Sequence, residues 1–385
     1  MDAEAELEVK MKILIAILGG GFLLLILWDA FETIILPRRV TRRIRLTRLF
    51  YRYTWLAYSA LGSSLFAAKR REGYFSIYGP LSLLALVGVW ALGLIIGFGC
   101  LHWAGGSGLN TPDGQQGLLT DLYLSGTTFF TLGLGDVCPR TTLARLLVVL
   151  EAGLGFAFLA LIIGYLPPLN QAFASREVSI SLLDARAGSP PTAAEMLLRH
   201  RDSDGMVALQ ELLHEWEHWS AEFLEIHLSY PVLAYFRSQH DNESWLAALT
   251  TILDTTSLVV TGVEGACQRQ AQRTFAMARH AVVDLAIIFH GTPLEPEQDR
   301  LSPTELSHLR STLAASGLRL SEGGDADRKL TELRDMYEPY ICSLSRYFRI
   351  PLPPWMHEST HRDNWQMSVW EMSSRHSRKR EAGHF

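Results

Sequence analysis

The chain carries two kinds of hydrophobic pattern. Residues 13–36, 81–103 and 143–166 are runs of apolar residues with few charges, each long enough to cross the roughly 30 Å of hydrocarbon that about 20 helical residues span. From residue 171 onward, apolar positions recur every three to four residues among Glu, Asp, Arg and His. That spacing predicts water-facing helices over 193–200, 207–227, 244–260, 264–290, 304–316 and 326–348. Gly-Ser-Pro-Pro at 188–191 and Gly-Thr-Pro at 291–293 punctuate them. The expected fold is all-α, with its first half in lipid and its second in water.

Two shorter apolar stretches need a different placement. Residues 118–130 would make about four helical turns, too short to cross the bilayer, and glycine-rich Thr131-Leu132-Gly133-Leu134-Gly135-Asp136 follows. This is the pattern of a half-helix that enters the membrane and turns back. Irregular backbone at that depth is tolerated only where it is buried in protein or lines a water-filled path. Residues 49–66 are flanked by basic clusters on both sides, and a crossing would force one cluster out. An amphipathic helix on the inner membrane surface is expected there.

Charge sets the orientation. Arg38, Arg39, Arg42, Arg43, Arg45, Arg48 and Arg52, then Lys69, Arg70 and Arg71, all fall between the first two runs, which places that connection in the cytoplasm. The N-terminus is then outside and residues 171–385 are cytoplasmic. Asp2, Glu4, Glu6 and Glu8 precede the first run and Pro37-Arg38-Arg39 follow it, unlike a cleavable leader, so the run is expected to remain as an anchor. Arginines at 39, 42, 45 and 48 repeat every third residue as in voltage sensors, but only one run precedes them, and binding of residues 38–52 to anionic lipid is the expected role. Asp29 and Glu32 are expected to pair with this cluster. A formal net charge of −5 argues against nucleic-acid binding. Cys100, Cys138, Cys267 and Cys342 are scattered without metal or disulfide spacing. Four segments result: an anchor (1–36), a basic cytoplasmic or interfacial connection (37–78), a membrane module (79–170) and a helical cytoplasmic domain (171–385).

Thr128-Phe129-Phe130-Thr131-Leu132-Gly133-Leu134-Gly135-Asp136 resembles the T-x-x-T-x-G-x-G-D signature of potassium-channel pore loops, and the arrangement of helix, re-entrant loop and helix around it is similar to that family's pore module. The resemblance covers about residues 79–170. It implies a homotetramer in a cell membrane in which the carbonyls of Thr131, Leu132, Gly133 and Leu134 and the Thr131 hydroxyl coordinate potassium, with Asp136 at the outer mouth. It implies no enzyme activity and no cofactor beyond potassium ions in the filter. Leu134 stands where the family usually has Tyr or Phe, and Phe130 where it commonly has Thr, so a weakly selective cation pore is the nearest alternative.

Further residues qualify as candidates. Glu151 lies in the third run, where an ionised carboxylate costs about 3 kcal/mol unless paired. It is expected to accept a hydrogen bond from Ser125, Thr127 or Thr128, a proton-sensing gate being the second reading. Gly153 and Gly155 sit where a gating hinge or close helix packing would place them. His214-Glu215-Trp216-Glu217-His218 matches H-E-x-x-H, two imidazoles one helical turn apart, the zinc-hydrolase pattern. His214 and His218 lack an evident third ligand, and an amphipathic helix is the expected account. A non-conducting membrane signalling protein is the remaining alternative. No strand followed by G-x-G-x-x-G occurs after residue 171, which argues against a dinucleotide-binding regulatory domain. Residues 229–236 suit a domain core or a subunit contact, and the tail with Arg375, Arg378, Lys379 and Arg380 is expected to be exposed.

Overall fold

The computed structural model describes residues 2–36, 45–106, 108–111, 114, 116–238, 243–289, 291–296 and 298–357. The expected basic positions Arg38, Arg39, Arg42 and Arg43 and the basic tail lie outside them. The chain is mostly helical and divides into two compact units, Met1–Gln171 and Ala172–Phe385. Among the described residues, four helices are long and apolar enough to cross a membrane: α1 (Asp2–Ile34), α3 (Ala68–Ala104), α5 (Thr142–Ala187) and, in the second unit, α8 (Trp245–Gly262).

In the first unit α1 packs on α3 through Leu23, Ile26 and Ala30, while the rest of its surface exposes Ile17, Leu18, Leu24 and Leu25. Helix α2 (Leu46–Leu65) folds back on the start of α3. Tyr51, Trp55, Ser59 and Gly62 recur at helical spacing on its buried face. The Trp55 ring lies 4.8 Å from Tyr78, and Tyr58 stacks on Tyr74 at 4.1 Å.

Of the acidic pair on α1, Glu32 meets the arginine cluster as expected. Glu32 pairs with Arg45 Nε at 3.5 Å and accepts the Trp28 indole N–H at 2.7 Å. Among the described residues Asp29 has no arginine partner. Its carboxylate accepts the Thr47 backbone N–H, at 3.2 Å to each oxygen, the Thr47 hydroxyl at 2.5 Å and the Trp90 indole N–H at 3.0 Å. Thr47 is in the first turn of α2, where free N–H groups and the positive end of the helix dipole favour a carboxylate.

Helix α5 runs through Pro167-Pro168 to Ala187, well past the end of the apolar run at residue 166. Proline's fixed φ is itself helical, so its cost is the missing N–H and a ring clash. Beyond the prolines the helix is re-anchored by buried Leu169, Ile180, Leu183 and Ala187.

The second unit comprises α6 (Ala193–Arg199), α7 (Ser203–Ser229), a 3₁₀ turn (Pro231–Tyr235), α8, α9 (Gln268–Ile288), α10 (Pro303–Ala315), α11 (Gly324–Asp335) and α12 (Glu338–Phe348). The expected helix over 326–348 is broken at Met336-Tyr337. Pro339 explains the break, since it cannot donate to the Asp335 carbonyl. Helix α8 is the core of this unit, and burial inside protein accounts for its apolar composition: Trp245 to Thr261 are all buried. Phe223 and Phe348 pack on its first residue, Trp245, with ring centroids 5.4 and 5.6 Å away, and Leu212, Phe275, Val282 and Leu285 are also buried in this unit. Within this apolar core, Asp254 accepts the Arg300 guanidinium at 2.7 and 3.2 Å and the Tyr337 hydroxyl at 2.6 Å.

His227, fully buried, donates from Nδ1 to the Phe223 carbonyl at 2.7 Å. Burial, then the nearby Arg176 charge, push its imidazole down to about 3. The folded state thus refuses a proton that the unfolded state accepts below about 6.5. Stability is therefore expected to fall as pH drops from about 6.5 towards 3, by up to about 1.4 kcal/mol per pH unit from this residue. Denaturant unfolding at several pH values, comparing wild type with His227→Gln, checks the slope, which should be shallower in the variant.

Candidate functional site

Helix α4 (Leu118–Phe129) has 12 residues, about 18 Å at 1.5 Å per residue. It packs against α3, burying Asp121, Leu124, Ser125, Thr128 and Phe129 on one side. Its C-terminal carbonyls are partly capped by the chain that follows. Thr131 N–H donates to the Thr128 carbonyl at 2.9 Å, and Leu132 N–H to the Thr127 carbonyl at 2.8 Å.

From there the backbone alternates in hand. Thr131, Gly133 and Gly135 have φ of 56°, 54° and 77°, whereas Leu132 and Leu134 between them are not left-handed. Such alternation can direct successive carbonyls to one side of a chain. Glycine supplies it without strain at 133 and 135; threonine at 131 does not, and a β-branched residue in this region costs about 1–2 kcal/mol. The bonds to the end of α4 hold it there.

The far end of the turn is tied back to the same helix. Asp136 Oδ2 accepts the Tyr123 hydroxyl at 2.8 Å. No pattern in the sequence points to this bond, which joins residues 13 apart. A short antiparallel pair, β1 (Leu109–Asn110) and β2 (Cys138–Pro139), closes the loops on either side, and Arg140 donates to the Asn110 side chain at 2.8 Å. Cys138 is exposed and unpaired by disulfide.

Behind the turn, Glu151 of α5 is fully buried. Of the three hydroxyls expected near it, the structure brings Ser125, which hydrogen-bonds Glu151 Oε1; Thr127 instead donates to the Leu124 carbonyl at 3.0 Å. The other carboxyl oxygen lies 3.3 Å from His102 Nε2, in a ring that is also fully buried. His102 was missed by sequence reading. An imidazole in a membrane-length helix was the available signal.

The two glycines Gly153 and Gly155 of α5 differ. A methyl group on Gly155 would run into the backbone carbonyl of Phe129, whereas one on Gly153 would meet nothing within 4 Å. Gly155 thus permits a backbone contact between α5 and the end of α4. Gly155→Ala is expected to cost about 1–3 kcal/mol per chain through overpacking, seen as a lower unfolding temperature in detergent, with Gly153→Ala close to wild type.

One chain leaves much of this region uncovered. Phe130, Leu132 and Leu134 are 60%, 63% and 64% exposed, and Leu146, Val149, Leu150, Phe156, Leu159 and Ile163 stand out from α5. Apolar surface of this extent marks contact with lipid or protein.

The H-E-x-x-H segment lies on α7. The rings of His214 and His218 are 5.2 Å apart, edge to face. Glu217 lies 3.8 Å from His214 Nδ1 and accepts the Gln270 amide at 2.7 Å, and Trp216 and Trp219 are buried beneath them. Among the described residues no group of three or more His, Cys, Asp or Glu is placed to hold a metal ion, so the zinc reading gains no third ligand.

Residues 85–167 match the family model described as ion channel. The stretch runs from within α3 through α4 and the turn into α5. It supports an ion-channel pore module and passive ion transport by a membrane protein. No curated protein and no solved structure matches the chain.

Proposed function

We propose that four copies of this chain surround a common axis in a cell membrane and conduct potassium through a filter formed by Thr131–Asp136 of each copy. The observation that carries this reading is the alternation of backbone hand at Thr131, Gly133 and Gly135, between helices long enough to span a bilayer. In this reading the carbonyls of Thr131, Leu132, Gly133 and Leu134 and the Thr131 hydroxyl replace the hydration shell of potassium, and Asp136 concentrates cations at the mouth. Exposed Leu132 and Leu134, and the bare face of α5, become contacts to neighbouring copies and lipid. Four chains are needed because one supplies a single file of carbonyls.

The remaining parts follow the same frame. Helix α1 is an additional membrane anchor with its start outside, α2 lies at the cytoplasmic surface with Arg45, Arg48 and Arg52 towards anionic lipid, and the second unit is a cytoplasmic assembly or regulatory domain. Gly153, with open space around it, is the hinge candidate; Gly155 is the packing contact. A weakly selective cation pore is the second reading, favoured by Leu134, whose side chain has no hydroxyl to brace the filter as a tyrosine would.

The test is stoichiometry and selectivity together. Native mass measurement should give four times the 43.1 kDa chain. Planar-bilayer recordings with potassium on one side and sodium on the other should give a reversal potential that favours potassium. A potential near zero would select the weakly selective pore, and a monomer without current would overturn both readings.

A further inference from the structure

Ser125 on α4, Glu151 on α5 and His102 on α3 form a buried polar chain, all three with no exposed surface. Ser125 Oγ lies 2.8 Å from the Ile95 carbonyl oxygen and is also bonded to Glu151 Oε1. Glu151 Oε2 lies 3.3 Å from His102 Nε2. Each of these three contacts needs one proton.

The proton count is decisive. The Ile95 carbonyl can only accept, so it takes the single hydroxyl proton of Ser125. The contact from Ser125 Oγ to Glu151 Oε1 then requires a proton of its own, and the carboxyl group is its remaining source. A neutral His102 protonated at Nε2 satisfies the third contact. Its Nδ1 is buried and has no hydrogen-bond partner among the described residues. As a bare lone pair that atom is tolerable, whereas an orphaned N–H is rare in protein interiors, which disfavours the imidazolium, a donor at both nitrogens. An ionised Glu151 would leave Ser125 facing two acceptors with one proton.

We infer that Glu151 carries its proton on Oε1 at neutral pH and acts as a positioning residue, holding α4, and with it the turn that begins at Thr131, against α3 and α5. The ionisable groups nearest these three along their helices are Cys100 on α3, Asp121, buried one turn before Ser125, and Tyr123 on α4, the latter donating to Asp136, and Arg145 on α5, exposed and donating to the Pro139 carbonyl at 3.3 Å. The contacts of Glu151 on which the count rests are those to Ser125 and His102. Alkaline pH removes that proton, and the turn loses its tie to α5. The consequence for ion flow rests on the pore reading; the location of the proton does not.

Two measurements on the full-length protein separate these. In the infrared difference spectrum of wild type minus Glu151→Gln at pH 7, the carbonyl stretch of a protonated carboxylic acid should be present, and its absence overturns the inference. In reconstituted liposomes, wild-type potassium flux should fall about tenfold per pH unit once Glu151 ionises. Glu151→Gln, which donates and accepts like the protonated acid, should change by less than about twofold over the same range. Identical pH profiles in the two proteins overturn the positioning role. If neither conducts at any pH, the pore reading fails and the infrared band alone decides. Should Glu151→Gln not fold, Ser125→Ala should shift the same band towards a free acid, and an unshifted band overturns the inference.

Discussion

Replacing Gly133 with alanine is expected to reduce ion flux at least about a thousandfold while leaving the protein assembled. Gly133 has φ of 54°, and an added methyl would meet nothing within 4 Å in its own chain. The cost is therefore conformational, about 1–2 kcal/mol for an L-residue in the left-handed region. In the proposed four-chain pore the cost multiplies to about 4–8 kcal/mol, and each 1.4 kcal/mol is tenfold in population. Thr131 already bears such strain beside the end of α4, where Thr131 and Leu132 N–H groups bond back to the helix. Gly133 has a longer 3.4 Å bond to the Thr127 carbonyl, so a second strained residue has less to hold it. Flux from liposomes carrying equal amounts of wild type and variant, with native mass as the control for assembly, checks the result.

Asp254→Ala is expected to destabilise the second unit by about 3–5 kcal/mol, because it strands a buried charge rather than merely deleting a contact. Burial alone would lower the Arg300 guanidinium, but the Asp254 carboxylate beside it holds the group above its ordinary value. Burial and the same carboxylate push the Tyr337 hydroxyl well up, so it remains a donor to Asp254. Arg300 would keep a 3.2 Å contact with Glu338 and one of 3.0 Å with the Pro353 carbonyl, which leaves part of its charge compensated. At about 2–4 °C per kcal/mol for a unit of this size, the melting transition should fall by roughly 10 °C. Circular dichroism melting of full-length wild type and variant in detergent checks it. A change under about 1 kcal/mol would mean that the ion pair is dispensable.

The repeat of glycine at 133 and 135 was legible because left-handed backbone at alternate positions leaves its trace as glycine. The same conformation at Thr131 was not, since threonine gives no sign of it and the strain is imposed by bonds to α4. Ser125 and Glu151 could be paired from sequence because a carboxylate in a membrane helix demands a partner. His102, 49 residues before Glu151, could not, because the crossing of α3 and α5 that joins them is a tertiary event. Charge alone directs Asp29 to arginines; its bonds to Thr47 at the start of α2 carry no trace in the charge pattern. The length of α5 was misjudged because anchoring beyond Pro167-Pro168 outweighs what two prolines cost. Pro339, by contrast, was a readable stop between α11 and α12 that helical spacing concealed.

Potassium efflux from liposomes reconstituted with the full-length chain, measured beside chain-free liposomes of the same composition, tests the pore most directly. The expected result is rapid efflux down the potassium gradient in the presence of the protein and none above background without it. Equal rates in the two preparations, from protein whose native mass shows four chains, would contradict a conducting pore.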